Sequence, residues 1–174
     1  TPIVTHSFLV HSAEDIPEIV KIAFHIATTG RPGPVVIAIP KDFTDLVYKF
    51  EFNYPSEVNM RSSNPPKKGV TSRIKEAVAL IEQSKNPVIY SGGGVIQNDA
   101  SDELTALAKL LNFPVTNTLM GLGAFPGSDP QFMGMLGMHG TYQANMAMHN
   151  ADLIIAVGAR FDDRITNDPK QFAL

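Results

Sequence analysis

Short apolar runs alternate along the chain with stretches of helical period, and that alternation constrains the fold more than any other feature. Residues 35–39 (VVIAI), 88–90 (VIY) and 153–157 (LIIAV) contain no charged residue. A strand with one face in water alternates apolar and polar residues. Continuous runs suit strands covered on both faces, as in a parallel sheet between helices.

The intervening segments supply the helices. Ile16, Ile19, Val20, Ala23 and Ala27 share one face of a helix over residues 12–29, stopped at Gly30, and Arg31-Pro32-Gly33-Pro34 makes a rigid turn into the strand at 35–39. Later, Ile74, Ala77, Val78 and Ile81 predict a second helix, and Leu104, Leu107, Ala108 and Leu111 a third. The third leads into a strand at Pro114-Val115-Thr116, and a less regular helix over 141–148 precedes the last strand. The expected fold class is α/β: a parallel-sheet, Rossmann-like central domain preceded by the tail of another α/β domain.

Between residues 40 and 71 no period persists, and Pro55, Pro65, Pro66 and Gly69 interrupt the chain around Lys67 and Lys68. Phe43, Tyr48, Phe50, Phe52 and Tyr54 are expected to pin this connection to a surface, chiefly as packing residues. The boundary falls near 60–70, giving segments 1–45, 46–69 (linker) and 70–174. One helix and one strand cannot cover their own apolar faces at the start, and the last domain stops short. Both points predict that parent sequence is missing at each end.

Composition removes several classes of function. The 174 residues are 44% apolar and 18% charged, with formal net charge -3 and no cysteine. That balance describes a globular chain without a disulfide framework, thiol chemistry or a nucleic-acid surface. No apolar run approaches a membrane span and the first residues lack the basic-then-apolar order of a secretory signal, so a cytoplasmic location is expected. His6, His11, His25, His139 and His149 show no metal-ligand spacing, and no metal site is expected.

Three strips carry the candidate chemistry. Gly92, Gly93 and Gly94 follow a strand and precede a helix, either offering backbone amides to a phosphate or cofactor, or forming a turn with positive φ. Thr118-Leu119-Met120-Gly121 and Leu136-Gly137-Met138-His139-Gly140 lie in loops where open α/β sheets bind ligands, although most of Met120, Met133, Met135, Met138, Met146 and Met148 suit an irregular core. Gly158-Ala159-Arg160-Phe161-Asp162-Asp163-Arg164 follows the last strand, its arginines suited to phosphate or to an exposed ion-pair network. None of these strips establishes a general acid–base pair.

Taken in order with Gly30-Arg31-Pro32-Gly33-Pro34 and Ile39-Pro40-Lys41-Asp42, these strips resemble the catalytic large subunit of acetolactate synthase (acetohydroxyacid synthase). The resemblance implies the end of a pyrimidine-binding domain up to about Asp42, then most of a central FAD-associated domain. By matching position it implies FAD contacts at Arg31, Gly92, Gly93, Gly94, Thr118, Leu119, Leu136, Gly137, Met138, His139, Gly158, Ala159, Arg160, Asp162 and Arg164. It also implies that Lys41, Met138, Asp163 and Arg164 border the substrate channel where inhibitors bind.

The family decarboxylates pyruvate and joins the hydroxyethyl unit to pyruvate or 2-oxobutyrate, using thiamine diphosphate and magnesium, in branched-chain amino-acid synthesis. Since the reaction has no net redox change, FAD has a structural role there. The expected catalytic glutamate precedes Thr1 and the Gly-Asp-Gly magnesium motif does not occur, so no catalytic residue is expected in this chain and the isolated segment is expected to be inactive. The implied partners are a second catalytic subunit and a small regulatory subunit, with no membrane. The competing readings are a related thiamine-diphosphate oxidase or decarboxylase, and a noncatalytic flavin-binding or structural module.

Overall fold

A computed structural model describes residues 3–45, 49–60, 62, 64–66 and 68–173. The chain divides into two compact units, Thr1–Gly69 and Val70–Leu174. Among the described residues no helix is long and apolar enough to cross a membrane.

In the first unit β1 (His6–Leu9) pairs in parallel with β2 (Val35–Ala38), and α1 (Ile16–Thr28) makes the crossover. Pro17 sits in the first turn of α1, where its missing N–H is not needed, and Ala23 and Ile26 are buried. Thr29 leaves the helix in extended conformation and Gly30 follows at φ +69°. The short stretch His-Ser-Phe-Leu, two polar residues followed by two apolar ones, has no alternation, so β1 is not expected from periodicity. Nor is β2 covered on both sides, since its residues alternate between half-buried and exposed. Of the linker aromatics, Tyr54 stacks on the exposed Phe52 and lies under Lys21, whose Nζ is 5.0 Å from the ring centroid. Phe43 and Phe50 are half-buried, while Tyr48 and Lys67 lie outside the described residues.

The second unit holds a four-stranded sheet in the order β5-β4-β3-β6, with every pairing parallel. The strands are β3 (Pro87–Ser91), β4 (Val115–Asn117), β5 (Phe132–Met135) and β6 (Leu153–Val157). The helices are α2 (Thr71–Gln83), α3 (Gly93–Gln97), α4 (Ser101–Leu111), α5 (Tyr142–His149) and α6 (Asp163–Thr166). Counted within the unit, the strand order runs third, second, first, fourth, so the direction of winding reverses between β3 and β6.

Strand β3 explains why an apolar run was needed. Its successive side chains enter opposite layers. Ile89 joins Val95, Leu104, Ala108, Val115 and Phe125 in one cluster, whereas Val88 and Tyr90 join Leu136, Ala144 and Met148 in another. Strand β6 is less covered than its sequence suggests. In β6, Ala156 is exposed and the other residues are half-buried, because among the described residues the strand has one neighbour, β3. Strand β5 escaped sequence analysis because Gly134 adopts φ +91° and the pairing with β4 is irregular.

The β3–β6 pairing depends on glycine. The Gly92 and Gly94 amides bond to the Val157 and Gly158 carbonyls, each at 3.0 Å. A Cβ built on Gly92 would lie 2.4 Å from the Gly158 oxygen, and one on Gly94 would lie 2.7 Å from the Gly158 Cα. Neither position has room for a side chain. By contrast, a Cβ at Gly127 would meet only Phe132 Cε1, at 4.0 Å. Gly92→Ala is therefore expected to lower stability by about 3 kcal/mol through overpacking, with Gly127→Ala near neutral. Urea denaturation of the two variants checks the contrast, and equal midpoints would refute it.

Candidate functional site

The four loops leaving the carboxyl ends of β3 to β6 converge on one edge of the second unit. They carry all the site residues expected there: Gly92, Gly93 and Gly94 after β3, Thr118 and Leu119 after β4, Leu136, Gly137, Met138 and His139 after β5, and Gly158, Ala159, Arg160, Asp162, Asp163 and Arg164 after β6. Gly92 and Gly158 meet where the sheet reverses direction, the position at which open α/β sheets bind ligands. Arg31 and Lys41 belong to the first unit, both exposed, with Lys41 opening a short 3₁₀ turn.

The triple glycine has a physical reason other than positive φ. None of Gly92, Gly93 and Gly94 has positive φ, whereas Gly158, against which Gly92 and Gly94 pack, sits at +60°. Close backbone approach is the constraint. Since the Gly92 and Gly94 amides are bonded to β6, they are already engaged and do not form an open phosphate cradle.

Polar side chains outside the expected set hold each remaining loop. Ser91 and Asn117, both fully buried, are joined by a hydrogen bond from the serine hydroxyl to the asparagine carbonyl oxygen. Asn117 Nδ2 then donates to the Gly121 carbonyl at 2.9 Å, while the Gly121 amide donates to Thr118 Oγ1 at 3.0 Å. This pins the 3₁₀ turn Leu119–Gly121 and leaves Leu119 and Met120 exposed, contrary to a core role for Met120. Met148 does fill the core, but Met138 is exposed. Asn145 clasps Gly137 through both its amide and its carbonyl.

Tyr90 holds the loop after β6. Buried in the middle of β3, it donates its hydroxyl to the Arg160 carbonyl at 2.7 Å. The Phe161 ring stands edge-on to it at 5.1 Å between centroids, and Phe172 meets Phe161 in the same manner at 6.0 Å. With its carbonyl taken, Arg160 directs its guanidinium toward Asp162, Nη2 to Oδ2 being 3.5 Å. Asp162 also caps α6 by accepting from the Arg164 amide at 3.2 Å. The edge therefore presents exposed Leu119, Met120, Met138 and Phe161 together with the cations Arg160 and Arg164. That combination suits a ligand with both a flat apolar part and an anionic part.

A cavity of about 720 Å³ lies elsewhere, lined by Asn86, Pro87 and Pro114 at the amino ends of the strands and by Tyr142, Met146 and Asn150. It contains none of the expected site residues. Among the described residues no cluster of three or more His, Asp or Glu is arranged to hold a metal ion.

Comparison with known proteins agrees with the order of the strips. The thiamine pyrophosphate enzyme central domain family matches residues 74–174. The chain is 57% identical over 171 residues to the acetolactate synthase large subunit of Buchnera aphidicola subsp. Schlechtendalia chinensis, covering 98% of this chain and 30% of that protein. It is 52% identical over 167 residues to the isozyme 3 large subunit of Escherichia coli K12, covering 96% of this chain and 29% of that protein. A probable acetolactate synthase large subunit of Methanocaldococcus jannaschii is 47% identical over 173 residues, or 99% of this chain and 29% of that protein. The chain thus spans less than a third of the length of these relatives.

The Tyr90 tether has a titration signature. Burial first, then the negative charge of Asp162, pushes the phenol up to about 12, with Arg160 acting in the opposite direction. An unfolded tyrosine ionises near pH 10, so between about pH 10 and 12 the unfolded state binds fewer protons and stability falls as pH rises. Below about pH 10 this contribution is fully present. Tyr90→Phe is expected to show a shallower decline across that window. Parallel urea titrations of both proteins test this, and superimposable slopes would exclude a buried, tethered phenol.

Proposed function

We propose, for a chain that belongs to the thiamine pyrophosphate enzyme family through its central domain, that it is a segment of an acetolactate synthase large subunit. The parent enzyme decarboxylates pyruvate and joins the remaining two-carbon unit to pyruvate or 2-oxobutyrate, supplying branched-chain amino-acid synthesis in the cytoplasm. The observation that carries this reading is similarity running through both units, at 52–57% identity over 96–98% of the chain in two bacterial relatives.

In this reading residues 1–45 end the pyrimidine-binding domain, 46–69 link, and 70–174 form part of the central domain. Its carboxyl edge is the part of this chain that meets FAD. The edge fits such a group chemically, since exposed Leu119, Met120 and Met138 suit an apolar ring system, while Arg160 and Arg164 suit a diphosphate. Arg31 and the loops at Gly92, Thr118, Leu136 and Gly158 complete the proposed contact set, and Lys41, Met138, Asp163 and Arg164 border the substrate channel. Tight packing of Gly92 and Gly94 on Gly158 supports a shaping role for these glycines, with binding donors supplied by other groups.

Thiamine diphosphate, when bound with magnesium elsewhere in the large subunit, supplies the carbon–carbon bond chemistry. The residues of this chain would position neighbouring groups and exclude water, without transferring a proton. A second large subunit and a small regulatory subunit are the proposed partners.

Acetolactate formation from pyruvate, with thiamine diphosphate, magnesium and FAD, should be measured for the full-length protein carrying this segment and for the 174-residue chain. Activity confined to the full-length protein is the expected result. No acetolactate from a folded, cofactor-loaded full-length protein would favour a related oxidase or decarboxylase, or a noncatalytic flavin module.

A further inference from the structure

Asparagine is a poor choice for the middle of a short helix, because its side chain competes for backbone hydrogen bonds. Asn145 is the fourth residue of the eight-residue α5 and is half-buried. Its side chain reaches out of the helix to the loop after β5. Oδ1 accepts from the Gly137 amide at 2.9 Å, and Nδ2 donates to the Gly137 carbonyl at 3.1 Å and to the Thr141 carbonyl at 3.1 Å.

We propose that Asn145 is a positioning residue for the flavin site, holding Gly137 in the conformation that presents Met138 and His139 at the carboxyl edge. This inference rests on the flavin reading given above. Strand β5 ends at Met135, so Gly137 lies beyond the strand ladder and the asparagine amide substitutes for a neighbouring strand by satisfying both of its backbone groups. Gly137 is held at φ +94°, and a Cβ there would lie 2.7 Å from the Arg164 carbonyl oxygen. That carbonyl accepts from the Met138 amide at 3.1 Å. Asn145 thereby holds Gly137 in a turn that the Gly140 amide closes on the Gly137 carbonyl at 2.9 Å, and the Met138 amide docks that turn onto Arg164. Exposed Met138 and His139 emerge from the junction.

The same unit contains an internal control. Gln131 makes a comparable clasp at the opposite edge of the sheet, its Nε2 donating to the Ala108 carbonyl at 2.9 Å and the Phe113 carbonyl at 2.8 Å. Losing the Asn145 clasp leaves the Gly137 amide without its partner, while the Gly137 carbonyl keeps the Gly140 amide at 2.9 Å. Losing the Gln131 clasp takes the side-chain donor from the Phe113 carbonyl, while the Ala108 carbonyl keeps the Phe113 amide at 3.2 Å. Only Asn145 touches the loops of the proposed site.

The test uses the full-length protein carrying this segment, with Asn145→Leu and Gln131→Leu compared by FAD titration, flavin absorption spectrum and urea midpoint. Asn145→Leu is expected to weaken FAD binding about tenfold and to alter the absorption envelope of the bound flavin. Gln131→Leu should lose comparable stability with FAD affinity within about twofold of wild type. Asn145→Ser, too short to bridge both Gly137 groups, is read on the same scale should the leucine variant not fold. Unchanged affinity in the Asn145 variants, or equal weakening in Gln131→Leu, would overturn the positioning role. Failure of the wild-type protein to bind FAD would instead overturn the flavin reading and the proposal with it.

Discussion

The second unit depends on a contact between backbones. Strands β3 and β6 are neighbours in the sheet although more than sixty residues separate them, and their exits meet at Gly92, Gly94 and Gly158 with no space for a Cβ on either side. Gly121 is drawn into the same junction, where a Cβ would lie 2.8 Å from the Ser91 carbonyl oxygen and 2.9 Å from the Gly92 Cα. Three crossovers can deliver their loops to one point only if those loops are this thin. A side chain at the junction would separate β6 from β3, and the reversal of winding that opens a binding edge would be lost with it.

Thin loops need other means of support, and here it comes from side chains standing behind them. Asn117, Asn145 and Tyr90 each spend their polar groups on the backbone of a different loop. The Asn117 bond is buried and those of Tyr90 and Asn145 to the loops are part-buried, so breaking one leaves a backbone group poorly reached by water. Placing the polar fixings behind the loops leaves their outward surface to Leu119, Met120, Met138 and Arg160, all exposed. The residues that fix the loops and the residues those loops expose are different ones.

This division explains what the sequence made legible. The alternation of apolar runs and helical periods identified β2, β3, β4 and β6 with α1, α2, α4 and α5, but not the short α3 and α6, and the apolar face expected of α2 is exposed at Ile74 and Val78. It missed β5, where Gly134 at φ +91° and an irregular register break the pattern, and β1, a largely exposed tetrapeptide whose two polar and two apolar residues do not alternate. The site loops were legible through glycine spacing, but the reason for the glycines was not, because close approach between residues 92 and 158 leaves no mark on either local sequence. Asn117, Asn145 and Tyr90 escaped notice for the same reason. Asparagine at a strand end or in a short helix, and tyrosine inside an apolar run, are ordinary residues until their distant partners are known.

The cavity of the second unit lies at the edge away from the expected site residues. The cavity of about 720 Å³ is bounded by Asn86, Pro87 and Pro114 where the strands begin, and by Ser84 and Asn150 where α2 and α5 end. Helix carboxyl ends carry partial negative charge, which disfavours an anionic group at that edge. The opposite edge carries the amino end of α3, Arg160 and Arg164, and the loops that Asn117, Asn145 and Tyr90 hold in place. In a parallel sheet the direction of the chain makes the two edges electrostatically unequal before any side chain is chosen. The polar fixings of this unit reinforce that inequality: Gln131 closes the amino edge onto the fold itself, whereas Asn145 holds a turn whose outer residues remain free to meet a ligand.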